Sequence, residues 1–291
     1  MILRKGGPML TARSKSFHRV IRSVAILAAS VFVLFPLPGH GEDSKRKLPA
    51  GYSDKRGASG DGHEAALLKA GWYYSWYIDP YSKPTDAEFV PMIAHGKDAN
   101  SWYYDRIMAL KARGKIKCLL GFNEPDRKAP EGGDISPEAA VNAWPLLEKT
   151  GLRLGSPAVA FDDTGKKWLE DFMKAAKAKN RRIDFIAVHW YGDVADPHAA
   201  KKFADWLNAL HAKYDKPIWI TEFAGLNWDW LHHPITTEQN MKFLRDLEPQ
   251  MESTAWIERY CWFSSKPADL YSDTKRTALT RLGEIYRDGG Q

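Results

Sequence analysis

Cysteine is scarce, with only Cys118 and Cys261 in 291 residues. That is too few for a disulfide-framework miniprotein. Long apolar runs are also missing. The most apolar segment, Ser23 to Phe35, has 13 residues, short of the roughly 18–20 that span a bilayer comfortably. No glycine-rich GxGxxG or GxxxxGK turn follows a strand candidate, which weighs against dinucleotide and P-loop folds. No unit of 20–50 residues repeats, and no tract is of low complexity. Acidic residues are absent before Glu42, so the six bases of residues 1–41 (Arg4, Lys5, Arg13, Lys15, Arg19, Arg22) account for the whole formal charge of +6. Residues 42–291 hold 36 bases and 36 acids. The part that folds carries no basic excess, which argues against nucleic acid or an anionic membrane surface as its main ligand.

What the chain does have starts with a basic stretch ending at Arg22, the apolar run to Phe35, the break at Pro36 and small residues up to Gly41. This is the pattern of a cleaved secretory signal peptide over 1–41. It implies a secreted or periplasmic protein with no membrane attachment after cleavage; an uncleaved anchor is the alternative. Polar, aperiodic residues 42–54 read as a flexible lead-in. With 44% hydrophobic residues in the chain, the remainder, 55–291, can bury a sizeable core as one domain.

Short runs rich in aromatic and β-branched residues recur at 71–76, 88–93, 116–122, 153–158, 184–191, 217–223 and 259–264, with a weaker one around 55–59. Helical patterns fall between most of them, at 61–70, 99–113, from Ser136 onward, and at 167–178, 197–214 and 236–247. Ser136 is a natural N-cap with Pro137 at the first helical position. Strands alternating with helices imply βα units and a parallel sheet. Eight units in about 250 residues suit an α/β fold of the (β/α)8 TIM-barrel kind, with its active site at the carboxyl ends of the strands.

Two segments carry chemistry. Leu119-Leu-Gly-Phe-Asn-Glu-Pro-Asp126 runs from a strand into Asn123-Glu124-Pro125, and proline cannot continue the ladder. Pro217-Ile-Trp-Ile-Thr-Glu-Phe223 ends an apolar strand on Glu222. Two carboxylates above two strands of one barrel are what glycosidic cleavage requires. One protonates the leaving oxygen, and the other attacks the anomeric carbon or activates water. No metal or other cofactor is needed, and neither Asp162-Asp-Thr-Gly165 nor His232-His233 has convincing ligand spacing.

Together, Gly121-Phe-Asn-Glu-Pro-Asp126 and Trp219-Ile-Thr-Glu-Phe223 resemble clan A of the retaining glycoside hydrolases. With Trp72-Tyr-Tyr-Ser-Trp76, Glu88-Phe-Val-Pro-Met92, Gly155-Ser-Pro-Ala158, Phe185-Ile-Ala-Val-His-Trp-Tyr-Gly192 and Tyr260-Cys-Trp-Phe263, the chain resembles glycoside hydrolase family 128, small β-1,3-glucanase barrels. The resemblance implies a monomeric enzyme acting on β-glucan polysaccharide or oligosaccharide. In it Glu124 is the acid/base, Glu222 the nucleophile, and Asn123 the partner of the sugar 2-hydroxyl. A clan A hydrolase of another β-glycan and a non-catalytic cell-wall glycan-binding barrel are the competing readings.

All 12 Trp lie between 72 and 262, and sugar rings present apolar faces that stack on aromatic planes. Trp262 is the first choice for a platform under the reacting sugar. Trp72, Tyr74, Trp76, His189, Trp190 and Tyr191 are further substrate-binding candidates, with a satisfied interior histidine as the alternative for His189. Trp228 and Trp230 sit in a loop long enough to wall a cleft, whereas Trp102, Trp168 and Trp206, on helical stretches, are expected in the core. Cys118 and Cys261, on opposite strands, are expected to stay unpaired.

Overall fold

Local sequence sets the element boundaries, and single bridges extend the short strands. The computed structural model describes residues 48–81, 85–129, 132–226 and 234–291. The expected leader, most of the lead-in, and Trp228, Trp230, His232 and His233 lie outside the described residues. The order is β1 (Ser53–Ser59), α1 (Gly62–Leu67), β2 (Ala70–Tyr74), β3 (Glu88–Phe89), a 3₁₀ turn (Gly96–Asp98), α2 (Ser101–Ala112), β4 (Cys118–Leu119), α3 (Pro137–Lys149), β5 (Arg153–Leu154), α4 (Asp163–Ala178), β6 (Ile186–Gly192), α5 (Ala199–Tyr214), β7 (Ile218–Gly225), α6 (Thr237–Ser253), β8 (Ile257–Trp262) and α7 (Arg281–Arg287). The weak first strand candidate is therefore β1, which takes in Ser53 and Asp54 from the expected lead-in.

Most helices begin on a side-chain cap that replaces missing backbone acceptors. Asp61 and Glu64 form a capping box on α1. Asn100 caps α2, and Ser136 caps α3 with Pro137 beside it. Asp162 caps α4, and Thr236 forms a capping box with Gln239 on α6. Helix α6 continues beyond the expected end at 247, through Pro249, because Glu248 and Met251 are still buried on its inner face.

All strand pairs are parallel. Six strands form one sheet in the order β3-β2-β1-β8-β7-β6, and β4 pairs with β5. β3, β4 and β5 are shorter than the sequence suggests. Pro91 and Pro157 each remove a ladder donor, so pairing continues only as single parallel bridges: Met92–Leu120, Asn123–Ala158, Gly155–Phe185 and Val159–Val188. The architecture is α/β with alternating β/α units around a parallel sheet, as in a TIM-like barrel.

Alternation along each strand sorts the apolar residues into two layers. One set packs together inside the sheet: Trp72, Tyr74, Val90, Met92, Cys118, Leu120, Phe185, Trp219 and Cys261. The next residues along, such as Tyr73, Leu119, Val188, Ile220 and Trp262, join a larger core that includes helix residues such as Trp144, Phe203 and Phe243. Cys118 and Cys261 are both buried free thiols. Among the described residues, no helix is long and apolar enough to cross a membrane.

Candidate active site

A cavity of about 730 Å³ is lined by Trp76, Ala94, His95, Asn123, Glu124, Arg127, Ala160, Phe161, Asp162, Tyr191, Glu222 and Phe263. These residues belong to the segments at and after the carboxyl ends of β2 to β8. Both glutamates singled out in the sequence face this cavity.

Glu124 is placed by a tight turn. Its φ of 36° is left-handed, a region costly for a residue with a Cβ. The surroundings enforce it. The Glu124 N–H donates to the Ala158 carbonyl (2.7 Å), while the Glu124 carbonyl accepts from Arg127 N–H (2.9 Å) and Gly133 N–H (3.1 Å). Gly132 must be glycine for this packing, since a Cβ there would lie 2.2 Å from the Glu124 carbonyl oxygen. Asn123 is laced in the same way: its N–H donates to Ala94 O (2.9 Å) and its carbonyl accepts from Gly133 N–H (2.9 Å). The side-chain Oδ1 of Asn123 is buried without a hydrogen-bond partner.

Glu222 does not end its strand, as the sequence suggests. β7 continues through Gly225, because Phe223, Ala224 and Gly225 are buried and pair with Trp190, Tyr191 and Gly192. The register slips between Val188 and His189, and again between Ile220 and Phe223. Such irregularities re-aim side chains beside functional sites. Here they leave His189 and Glu222 as register partners.

The Glu222 carboxylate is closely held. Trp76 Nε1 donates to Oε1 at 2.7 Å, Tyr74 Oη shares its one proton between Oε1 at 3.1 Å and the Thr221 carbonyl at 3.0 Å, and Tyr191 Oη donates to Oε2. Three neutral donors fix its orientation and offset part of its charge. Burial, followed by the Glu222 charge, pushes the Tyr74 and Tyr191 hydroxyls far above the ordinary tyrosine value, so both remain donors. Trp76, like Glu124, has a left-handed backbone, with φ 55°.

His189 joins the two acids. Its Nδ1 lies 3.0 Å from Glu124 Oε1 and 3.4 Å from Glu222 Oε2. Burial disfavours the imidazolium, but the Glu222 charge and the hydrogen bond to Glu124 outweigh it and raise His189 above its ordinary value. One ligand atom each from Glu124, His189 and Glu222 lie within 4.8 Å of one another, a spacing that could hold a cation. Those atoms are already engaged with each other and with Tyr74, Trp76 and Tyr191, an arrangement suited to proton transfer and nucleophilic attack.

The aromatic candidates separate by layer. Trp76 and Tyr191 line the cavity, and Tyr74 and His189 stand behind it on the glutamates. Trp262, Trp190 and Trp72, expected at the substrate, are buried elsewhere and do not line the cavity. Trp262 is buried against Phe223, Phe243 and Tyr286, with Nε1 donating to Ala268 O at 2.8 Å. Trp190 stacks on Phe203 and Phe243 in the same outer layer. Trp72 lies deep in the inner core beside Trp219, donating to Lys55 O at 2.9 Å. A one-residue step along a strand exchanges the two faces, so Phe263, next to Trp262, lines the cavity instead. Trp168 is buried as expected, Trp206 packs partly buried on the core, and Trp102 is exposed.

His95, Arg127, Phe161 and Asp162 were not legible as site residues. Arg127, three residues after Glu124, pairs with Asp162, which caps α4 through a 2.9 Å bond from Gly165 N–H. That ion pair crosses between the loops after β4 and β5. Its only sequence trace is that both residues follow strand ends.

Residues 52–286 match the family model described as glycosyl hydrolase catalytic core. The chain belongs to this family. It is a glycosidase. Among solved structures it is similar to an Amycolatopsis mediterranei glycoside hydrolase family 128 (subgroup I) endo-β-1,3-glucanase in complex with laminaritriose. That match has 32% identity and a TM-score of 0.72, and it covers 81% of this chain and 100% of that one. A Blastomyces gilchristii subgroup III enzyme, a curdlan-specific exo-β-1,3-glucanase in complex with glucose, has 30% identity and a TM-score of 0.67, with 80% and 97% covered. Alkali-sensitive linkage protein 1 of Schizosaccharomyces pombe is 32% identical over 240 residues, which cover 74% of this chain and 39% of that protein. The glycosidase therefore spans about two fifths of that relative's length.

Proposed function

We propose that this glycosidase is a family 128, clan A enzyme that hydrolyses β-1,3-glucan with retention of anomeric configuration. The observation that carries this reading is the closeness of Glu124 and Glu222, with carboxylate oxygens within 4.8 Å of each other and one shared cavity. Retaining enzymes hold their carboxyls about 5–5.5 Å apart, whereas inverting enzymes leave roughly 6.5–9.5 Å for a water. The substrate reading is supported by the likeness to the Amycolatopsis endo-β-1,3-glucanase, which is solved with laminaritriose and with laminarihexaose. Variants of the Amycolatopsis enzyme replace either of two glutamates, whose separation along that chain matches that of Glu124 and Glu222 to within one residue.

The donors on Glu222 support the nucleophile role for it, and the greater exposure of Glu124 suits an acid/base that must meet the leaving group and water. The Glu222 side chain is 6% exposed and the Glu124 side chain 18%. Glu222, ionised and aimed by three donors, attacks the anomeric carbon. As the C–O bond breaks, Glu124 gives its proton to the departing sugar oxygen. Glu124 then takes a proton from water, which displaces Glu222 from the glycosyl-enzyme and restores both carboxyls. The Asn123 amide holds the sugar 2-hydroxyl, a bond that strengthens as positive charge develops on the ring. Pairing across Met92–Leu120 and Gly155–Phe185 supports closure of the eight strands into a (β/α)8 barrel that presents these residues on one face. Secretion or export to the periplasm after signal cleavage, and action as a monomer, complete the proposal.

Proton NMR during the first minutes of laminarihexaose hydrolysis tests the stereochemistry. The β-anomer is expected first; an α-anomer first rules out double displacement. Laminarin, mixed-linkage glucan, cellulose and xylan, assayed side by side, test the substrate. Cleavage of xylan alone would refute the β-1,3-glucan reading. Glu222→Ala is expected to lose turnover by roughly a thousandfold or more while still binding laminarihexaose.

A further inference from the structure

Among the described residues, only two large apolar side chains are mostly in solvent: Tyr81, 71% exposed, and Trp102, 57% exposed. They belong to one cluster. Tyr81 stacks on Tyr77, with centroids 6.0 Å apart and planes 7° from parallel. Tyr77 meets Tyr103 edge-on at 6.2 Å, and Tyr103 meets Trp102 edge-on at 5.0 Å. Single exposed aromatics are unremarkable on a protein surface, but a joined group is the kind of patch that marks an interaction site.

The cluster adjoins the cavity. Tyr77 follows Trp76, a cavity-lining residue that donates to Glu222, and the helix carrying Trp102 and Tyr103 follows His95, which also lines the cavity. Both connections rise from the carboxyl ends of β2 and β3. The patch is also held in place. Arg106 of α2 grips Asp79, between Tyr77 and Tyr81, with Nε 2.7 and 2.9 Å from the two carboxylate oxygens, and Asn100 caps the turn that presents Trp102. Rings held before binding lose little freedom when a ligand arrives. The rings expose apolar planes beside ordinary polar groups, which suits the faces of pyranose rings.

We propose that Trp102 and Tyr81 form a second glycan-binding platform, outside the catalytic cavity, for a β-glucan chain running from the cavity over the β2–β3 side. This rests on the β-glucan reading above. A short oligosaccharide fills the cavity alone, whereas a polymer engages both places, so the platform serves polymer capture and not bond cleavage.

The test uses the full chain. Retention on insoluble β-1,3-glucan is measured in a Glu222→Ala background with W102A, Y81A, W102F and Y81F added, and laminarihexaose hydrolysis is measured for the same four changes in the active enzyme. One ring stacked on a sugar is worth about a fivefold change in affinity. Each alanine variant is expected to lower retention by about that factor, each phenylalanine variant to keep most of it, and laminarihexaose kcat/KM to stay within about twofold. Unchanged retention in W102A and Y81A, or a parallel fall in laminarihexaose hydrolysis, would overturn the platform. If the unmodified enzyme cleaves no β-1,3-glucan, the substrate reading fails separately. The platform is then judged by retention alone, where loss in the alanine variants supports it, and absent or unchanged retention refutes it.

Discussion

His189 and Glu222 are register partners on adjacent strands, and Nδ1 of the histidine lies 3.4 Å from Oε2 of the glutamate. The same nitrogen is 3.0 Å from Glu124 Oε1. One buried imidazole thus touches both acids from below, leaving their upper sides to the cavity. Because its acid form is favoured in the fold, His189 has a consequence for stability. A folded-state value above the unfolded one stabilises fully below the unfolded value of about 6.5, and that stabilisation is lost as pH rises through the folded value. Denaturation midpoints are expected to fall with pH above about 6.5, and His189→Gln should flatten that slope. An unchanged slope in the variant would remove His189 from the titration.

A second group acts in an adjoining window. Glu248 is buried against Arg56 and Tyr260, with bonds of 3.0 and 2.7 Å, and burial pushes it up to about 7 from 4.5 despite the Arg56 charge. The folded state therefore holds its proton longer than the unfolded state. Stability from this group is complete below about 4.5 and lost as pH rises past about 7, a change of roughly 3 kcal/mol. Urea melts from pH 4.5 to 7.5 should show the decline, and Glu248→Gln should reduce it in that window. A wild-type stability that rises steadily over the same range contradicts it.

Tyr191→Phe removes one of the three donors on Glu222 and leaves the ring in place. We expect kcat to fall about 10- to 100-fold, with unfolding free energy within about 1 kcal/mol of wild type. Steady-state kinetics on laminarihexaose with a parallel thermal melt separates the two effects. A variant that loses stability but keeps kcat would make Tyr191 purely structural.

Gly132→Ala places a Cβ 2.2 Å from the Glu124 carbonyl oxygen. The turn must shift, and Glu124 with it. Displacement of a reacting group by about 1 Å can cost 100-fold in rate. A drop of about that size in kcat is expected, with bound sugar retained on calorimetry; wild-type kcat would show that Glu124 does not depend on this turn.

Trp262 and Phe263 should divide stability from binding. Trp262→Ala empties a buried site and is expected to cost about 3–5 kcal/mol of stability. Phe263→Ala should raise KM severalfold with little change in melting temperature. The reverse outcome would restore Trp262 as the sugar platform.

Much of this was determined by the sequence alone. The alternation of apolar runs and helical stretches, the cap at Ser136, and Asn123-Glu124-Pro125 and Thr221-Glu222-Phe223 are local signals. They act over a few residues, so no knowledge of distant contacts is needed to read them. The tertiary structure decided which face each aromatic takes. Trp262 and Phe263 are neighbours in sequence, yet a strand points one into the helix layer and the other into the cavity. Register slips at His189 and Glu222, and loop packing that brings Arg127 to Asp162, depend on partners far along the chain. Those contacts become definite only when the strands pair.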